Sequence, residues 1–344
     1  MLKRKVFNLI KIPSSVAVCL ALFTGFVLFS GCEESNAAVK LPGEKTVRDL
    51  QPRALTIISQ ALVNPDPQIR AKAIEVVAAA GQKQLMAEVQ KLLGDDYVPV
   101  RYNAAVAIGD MEFYLAKSTV EKLLPVADEN TKIAAAYAMY KLGYKDYLEL
   151  IKSAVASPDQ TLRANAVVLL GKTGDKSVLE ILYWAKDNDN SDPKVRYQAT
   201  EAIAKLGDET IVPKIWTMLV SKFVEAKMIG IYAMGALGTP QAKEVLFTKL
   251  DDDILEVRLA AAEQLASLGD NSGEQAVLSV FQDKLTADLD QQAQERVLVL
   301  TALAIGKLNT PDTISYLPKL IDSDSMVIRL ASAQAVLEAL NSDR

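Results

Sequence analysis

The residues that most often carry enzyme chemistry are scarce in this chain. Histidine does not occur in its 344 residues, and its two cysteines are Cys19 and Cys32. Without imidazole, Ser-His-Asp and Cys-His nucleophiles, His-dependent acid–base catalysis and His-ligated haem are excluded. We expect Cys19 to be removed and Cys32 to be acylated, as argued below, so neither remains to hold zinc. The composition therefore predicts no resident metal and no cofactor.

Two short motifs have the residue types and spacing of a possible nucleophile or of a calcium site. Ser191 and Lys194 form the chain's one Ser-x-x-Lys sequence, in which an amine could activate a hydroxyl. Asp187, Asp189 and Asp192 match part of a calcium loop, but the central Gly and the terminal Glu of that loop are missing. Both motifs fall between expected helices, where turn-forming residues are needed in any case. We interpret them as turns.

Carboxylates, Tyr, Lys and Ser are the remaining catalytic options, and paired carboxylates can be tested by their expected spacing. Glu201 and Glu263 occupy equivalent positions two repeats apart. With neighbouring helices about 8–10 Å apart, we expect roughly 20 Å between their backbones. Glycosidase carboxyl pairs lie roughly 5–9.5 Å apart. We therefore expect no catalytic residues and no enzyme activity, and an enzyme that uses carboxylates between units remains an alternative.

The charge of the chain excludes another class of ligand. The sequence has 38 basic and 43 acidic residues. Removal of residues 1–31, which contain four of the basic residues, leaves 34 basic and 43 acidic residues and a net charge of −9. An acidic surface lacks the basic stripe that phosphate binding requires. We expect no nucleic-acid ligand.

The elements that position these residues are repeated. Nine basic residues recur at steps of 31 to 38 residues, a period typical of helical pairs that stack and share a core. They are Arg70, Arg101, Lys132, Arg163, Arg196, Lys227, Arg258, Arg296 and Arg329. Three residues after each stands a small residue, which is Ala, Gly or Ser in eight units and Val in the other. Seven residues after each stands a large apolar residue. These two columns share one helix face and predict the core.

The repeat predicts an all-α fold, a right-handed α-solenoid of about nine helix pairs in residues 46–344. The first helix is expected at about Val47–Leu62, and the last to run to about Leu340. Glycine stands eleven residues after the basic residue in six units, where it can end a helix in the left-handed conformation. Unit two has Glu112 instead, which predicts a distorted turn. Residues 283–290 are expected to form a polar loop inside unit eight.

The segments Asp66–Ala73, Asp192–Arg196 and Leu255–Ala261 resemble the HEAT repeat, and more specifically the short HEAT-like repeats of phycobilisome lyase subunits. The resemblance covers roughly residues 46–341. It implies that the second helix of each pair lies on the concave side. Deoxyhypusine hydroxylase, another HEAT-like family, is similar in architecture but binds iron through His-Glu motifs, and no position here matches those ligands. Bilin attachment in the cytosol conflicts with the export expected below.

Residues 1–31 are typical of a secretory signal peptide. A basic start with Lys3, Arg4 and Lys5 precedes the apolar run Val16–Leu28, which is too short for a permanent transmembrane helix. The four residues Phe29–Cys32 resemble the lipobox of bacterial lipoproteins. That resemblance implies cleavage before Cys32, acylation of Cys32 and attachment to the lipid bilayer. An ordinary signal peptide followed by an incidental cysteine is the alternative.

Residues 32–45 are expected to be the acylated cysteine and a flexible tether with a reach of about 20 Å. Glu33 follows Cys32, and not the Asp that retains enteric lipoproteins in the inner membrane. By that analogy, we expect a protein of the bacterial cell envelope, anchored in the outer membrane and facing the periplasm.

Partner-binding residues are expected on the concave face of the second helices. One group comprises Tyr197, Glu201, Met228 and Tyr232, and the other Tyr102, Asn103 and Tyr137. Tyrosine combines a large contact area with a polar hydroxyl group, and it is enriched among the residues that contribute most to binding at protein interfaces. These rings could instead cover the seams between helices.

Two further groups of residues are assigned to structure. Trp184 and Trp216 are expected in the core. The basic column is expected to bond turn carbonyls or to pair with Asp66, Asp159 and Asp192.

Together these features predict a non-catalytic, lipid-anchored scaffold whose partner is another protein, bound on an extended concave surface. A regulatory or chaperone subunit of a periplasmic enzyme is the alternative.

Overall fold

The computed structural model describes residues 42–342, so Cys32 and the expected signal segment lie outside the described residues. Regular structure in residues 42–342 is helical throughout. The α-helices are α1 Pro42–Leu62, α2 Pro67–Ala79, α3 Met86–Lys91, α4 Val98–Asp110, α5 Lys117–Leu123, α6 Glu129–Lys141, α7 Leu148–Ala154, α8 Gln160–Lys172, α9 Leu179–Asp187, α10 Pro193–Lys205, α11 Val212–Leu219, α12 Val224–Leu237, α13 Pro240–Thr248, α14 Leu255–Ser267, α15 Glu274–Gln282, α16 Gln291–Leu308, α17 Pro311–Ile314, α18 Leu317–Ile321 and α19 Met326–Ser342.

The helices form pairs, as the repeat predicts. The second helices of the pairs are α2, α4, α6, α8, α10, α12, α14, α16 and α19, and each packs against the next. Most begin after a turn former: the side chain of Asp66 accepts a hydrogen bond from the Gln68 amide, and that of Asp192 from the Val195 amide. Such N-caps satisfy helix donors that have no partner within the helix. The α-solenoid predicted from the sequence is confirmed.

The two apolar columns form the core, with one shift of register. Ala73 and Val77 of unit one are fully buried, as are their counterparts in most units. In unit eight, however, the buried residues are Thr301 and Ile305, two positions later than the alignment on Arg296 predicts. Asn309 then takes the left-handed turn position, with φ of 50°. The true counterpart of the basic residue is Leu298, so the position of Arg296 in the repeat was wrong by two residues.

The basic column connects successive units. The Arg70 guanidinium donates to the carbonyl oxygen of Asn64 in its own turn at 2.7 Å, and to both carboxylate oxygens of Asp95 in the next turn at 2.8 Å. Its hydrogen bonds hold the pKa of Asp95 below the ordinary value. Arg101 and Asp128 repeat the contact at 2.6 Å one unit later. The prediction of carbonyl contacts is confirmed, whereas the acidic partners of Arg70 and Arg101 come from the following unit.

Glu112 does not distort its turn. It adopts φ of 47°, in the left-handed region where Gly81 and Gly143 stand in the neighbouring units. The Phe113 amide donates to the Ile108 carbonyl at 3.0 Å, as the Gln82 amide does to that of Val77. The predicted distortion of this turn was wrong. The same hydrogen bonds form as in the neighbouring units, and they hold a non-glycine residue in a strained conformation.

The first and last units pack against each other. Helix α19 contacts both α1 and α2, so the nine second helices of residues 42–342 form a closed ring. Arg53 on α1 pairs with Asp322, and the Asn341 side chain donates to the Ala80 carbonyl at 3.3 Å. One apolar cluster contains Ile58 and Leu337 from opposite ends of the chain. The sequence predicts an extended concave surface, whereas in residues 42–342 this surface closes on itself.

Two further expectations concern surface features. Trp184 and Trp216 lie on the first helices α9 and α11, but 43% of each remains exposed, so their assignment to the core was wrong.

Residues 283–290 form turns between α15 and α16, as predicted. Within the described residues, no helix has both the length and the apolar content needed to cross a bilayer.

Candidate functional site

The inner surface of the ring is formed by the second helices, because successive second helices pack closely against one another whereas most successive first helices contact each other little. A cavity of about 600 Å³ lies on this surface. Its lining comes from four successive units and includes Lys72 on α2, Tyr102 on α4, Asn130 on α6 and Asn165 on α8. We call this the carboxamide cavity.

Carboxamides are the main polar groups of this cavity. The Asn103 amide nitrogen donates to the Ala71 carbonyl at 3.2 Å and to the Glu75 carboxylate at 2.9 Å. The Asn165 amide nitrogen donates to the side-chain oxygen of Asn130 at 2.9 Å. These bonds fix the orientation of side chains from four units, in the pairs α2–α4 and α6–α8, which is the kind of preorganisation that a binding site requires.

A second cavity, of about 230 Å³, continues along α2 and α4 and shares Glu75 and Asn103 with the first. At its end the Lys172 ammonium lies 2.8 Å from the Asp110 carboxylate. Lys172 belongs to α8 and Asp110 to α4, so side chains two units apart are in direct contact. The estimate of roughly 20 Å concerned the backbones of Glu201 and Glu263 and stays a prediction, whereas long side chains can bridge two units, as Lys172 does here.

Tyr137 stands apart from the other expected partner-binding residues because it is buried, with 1% exposure. Its hydroxyl donates to the Asp110 carboxylate at 2.6 Å. Burial, together with the negative charge of Asp110, raises the pKa of this phenol above its ordinary value. The ring packs over Gly109, where a Cβ atom would lie 2.9 Å from the Tyr137 ring. The structure thus makes Tyr137 a support for the cavity wall and leaves Tyr102 and Asn103 on its surface.

The other expected group lies further round the ring. Tyr197 and Glu201 are one turn apart on α10, Met228 and Tyr232 are one turn apart on α12, and these two helices pack together. All four side chains are half-buried. The Tyr232 hydroxyl lies 3.4 Å from the carboxylate of Glu263 on α14.

Glu263 has an unusual environment for a carboxylate. Burial, followed by the nearby charge of Glu338, raises its pKa to about 7, while Lys307 and the hydrogen bond from Tyr232 oppose the shift. Lys307 and Glu338 form an ion pair at 3.0 Å beside it. The inner surface therefore carries a carboxyl group that changes charge near neutral pH.

The Ser-x-x-Lys motif and the partial calcium-loop motif both lie in a turn between helices, where their side chains make structural contacts. The Ser191 hydroxyl accepts a hydrogen bond from Arg163 at 3.2 Å, and Ser191 is 5% exposed. Asp192 caps α10, and Asp187 pairs with Lys186. Among residues 42–342, no three acidic or thiol side chains are grouped closely enough to hold a metal ion.

The residues of the cavities that were not singled out from the sequence include Asp110, Asn130, Asn165 and Lys172. Three of these four stand two or nine residues after a basic residue, in columns that face away from the core. The signal was therefore present in the sequence, but the predicted binding residues followed the tyrosines of other columns. Asn130 precedes the basic residue of its unit and belongs to none of the columns.

Comparisons with known proteins agree with this architecture. A family model described as HEAT repeats matches residues 148–225 and 184–266. No curated protein matches the chain.

Three solved structures are similar to the chain. Human deoxyhypusine hydroxylase in complex with glycerol has 16% identity, covers 86% of this chain and 98% of its own, and gives a TM-score of 0.38. The complex of CpcE and CpcF of phycocyanin lyase from Nostoc sp. PCC7120 has 19% identity, with 89% and 99% covered and a TM-score of 0.32. Importin beta has 13% identity, with 84% and 47% covered and a TM-score of 0.33. These likenesses concern the fold alone.

Proposed function

We propose that this protein is a HEAT-repeat binding module that holds a partner protein at the inner surface of its ring while Cys32 anchors it to a bacterial membrane. The observation that carries the proposal is the carboxamide cavity. Side chains from four units converge there, and the bonds of Asn103 and Asn165 hold them in place. Repeat proteins commonly use such concave surfaces for recognition.

A binding role accounts for the chemistry of this surface. Tyr102, Tyr197 and Tyr232 are half-buried and offer aromatic area with polar tips. The basic residues Lys72 and Lys172 are each paired with an acid, at 2.9 and 2.8 Å, so the two cavities have no excess positive charge. This balance favours a protein over a nucleic acid as the partner.

Photo-crosslinking in intact membranes tests the proposal. A photoreactive amino acid replaces Tyr197 or the exposed Lys72 on the inner surface, and Glu180, exposed on α9 of the outer layer, serves as the matched control. We expect one protein to crosslink from both inner positions and not from position 180. Crosslinks from position 180 alone would refute an inner binding surface.

The anchor requires its own experiment. We expect Cys32→Ser to move the protein from the membrane fraction to the soluble fraction, because acylation would supply the membrane affinity. Metabolic labelling with a fatty-acid analogue should mark the wild type and not the variant. Retention of the variant in the membrane would argue against acylation at Cys32 as the anchor.

A further inference from the structure

We infer that the carboxamide cavity binds an extended, uncharged stretch of polypeptide through its main chain. This inference rests on the proposed function and specifies the part of the partner that enters the ring.

The size of the site restricts the occupant. The second helices close on themselves, and Lys172 meets Asp110 across two units. The two adjoining cavities have volumes of about 600 and 230 Å³. Volumes in this range suit ligands of small-molecule cross-section and not a folded domain. A single extended chain fits, and it can follow the cavities from one to the other along α2 and α4.

The charge of the site restricts it further. The cavities contain two lysines and two acids, and these neutralise each other in the pairs Lys72–Glu75 and Lys172–Asp110. A charged ligand would have to break one of these pairs or enter without a counterion. The lining therefore favours an occupant without net charge, which excludes phosphate groups and strongly basic or acidic peptides.

The remaining hydrogen-bonding groups match a peptide main chain. Asn103 uses its amide nitrogen within the protein, and Asn165 donates to Asn130. Among the described residues, no partner takes the side-chain oxygens of Asn103 and Asn165 or the amide nitrogen of Asn130. These atoms supply two acceptors and one donor for the N–H and C=O groups of an extended chain. The half-buried Tyr102 ring provides apolar contact area beside them.

The experiment uses the full-length protein purified in detergent and a display library of random ten-residue peptides. The best binder is then resynthesised with single main-chain amides replaced by esters, which removes one N–H donor and leaves the side chains unchanged. We expect at least one ester to weaken binding about three- to tenfold, the effect of one hydrogen bond. We also expect the selected peptides to be uncharged.

Variants of the protein locate the site. We expect the double variant Asn103→Ala, Asn165→Ala to weaken the peptide at least tenfold, and Gln275→Ala, an exposed carboxamide on α15, to have no effect. Because the ester series uses wild-type protein, it stays informative if the double variant folds poorly.

Several outcomes would overturn the inference: no binder in the library, equal affinity for esters and amides, equal affinity for the double variant, or binding of a neutral oligosaccharide in place of peptides. The crosslinks from positions 72 and 197 distinguish failure of this inference from failure of the proposed function. If these persist while peptide binding fails, the inference falls and the proposed function stands. If they are absent as well, both fall.

Discussion

Lys172 and Asp110 form a 2.8 Å ion pair that joins α8 to α4 across the intervening helix α6. The same carboxylate accepts the hydroxyl of Tyr137, so one acid receives bonds from two other units. This contact requires strong curvature, because side chains from alternate units would not meet in a straight stack.

The ion pair should contribute measurably to stability. We expect Asp110→Ala to lower the free energy of unfolding by about 1–3 kcal/mol, since it leaves the Tyr137 hydroxyl with only a long contact to the Lys172 carbonyl at 3.5 Å. Lys172→Ala should cost about 1 kcal/mol or less. Urea unfolding of both variants and of the double variant gives the coupling energy. Lys72→Ala is the control, because it breaks an exposed ion pair within one helix. It should lower the free energy of unfolding less than Lys172→Ala does. Equal losses would contradict a special role for the Lys172–Asp110 pair.

Glu112 allows a test of backbone strain. We expect Glu112→Gly to raise the free energy of unfolding by about 1 kcal/mol, because glycine adopts a left-handed φ without steric cost. The matched change Gly81→Glu, at the same position of unit one, should lower it by a similar amount. A Cβ atom at position 81 meets no other atom within 4 Å, so the effect comes from the backbone. Changes of the same sign in the two variants would rule out this explanation.

Closure of the ring can be tested by zero-length crosslinking. Arg53 on α1 pairs with Asp322, and Arg53→Lys would make the pair reactive to a carbodiimide. We expect a peptide joining positions 53 and 322 in the monomer fraction, and none when Asp322→Asn is added. Lys172 and Asp110 supply a positive control within the same molecule. If that control reacts and the 53–322 crosslink does not form, the ring is open in solution.

The raised pKa of Glu263 predicts a dependence of stability on pH. Its value of about 7 in the folded protein exceeds the ordinary 4.5, so the folded state binds the proton more tightly. The stability that this provides is complete below pH 4.5 and is lost as the pH rises through 7. We expect Glu263→Gln to be more stable than wild type by about 1–2 kcal/mol at pH 8, with little difference at pH 4.5, after allowing for partial exposure.

Urea unfolding at several pH values measures this difference. Glu201→Gln makes the same change of charge on the same inner surface and removes a carboxylate that lies 2.6 Å from Lys205. It is expected to lower the stability. If the difference in the free energy of unfolding between Glu263→Gln and wild type did not change with pH, titration of the Glu263 carboxyl group would not be its cause.

The sequence was sufficient for the helices and most of the core, because the small and large columns at Ala73 and Val77 repeat the same packing in each unit. It failed in unit eight because the alignment followed Arg296, whose side chain is 59% exposed, and not the buried pair Thr301 and Ile305. Closure could not be predicted, since it depends on small rotations that add up over nine units. Partner-binding residues were judged one column at a time, so the contact between Asp110 and Lys172 was not foreseen.

The packing of α19 against α1 has a consequence for how the repeats can unravel. In an open array the terminal repeats need polar caps and are the first to fray, since each has one neighbour instead of two. Here unit one and unit nine cap each other with apolar side chains such as Ile58 and Leu337. Every unit of residues 42–342 therefore has two neighbours, and units one and nine cannot fray as free ends do until the contact between them is broken.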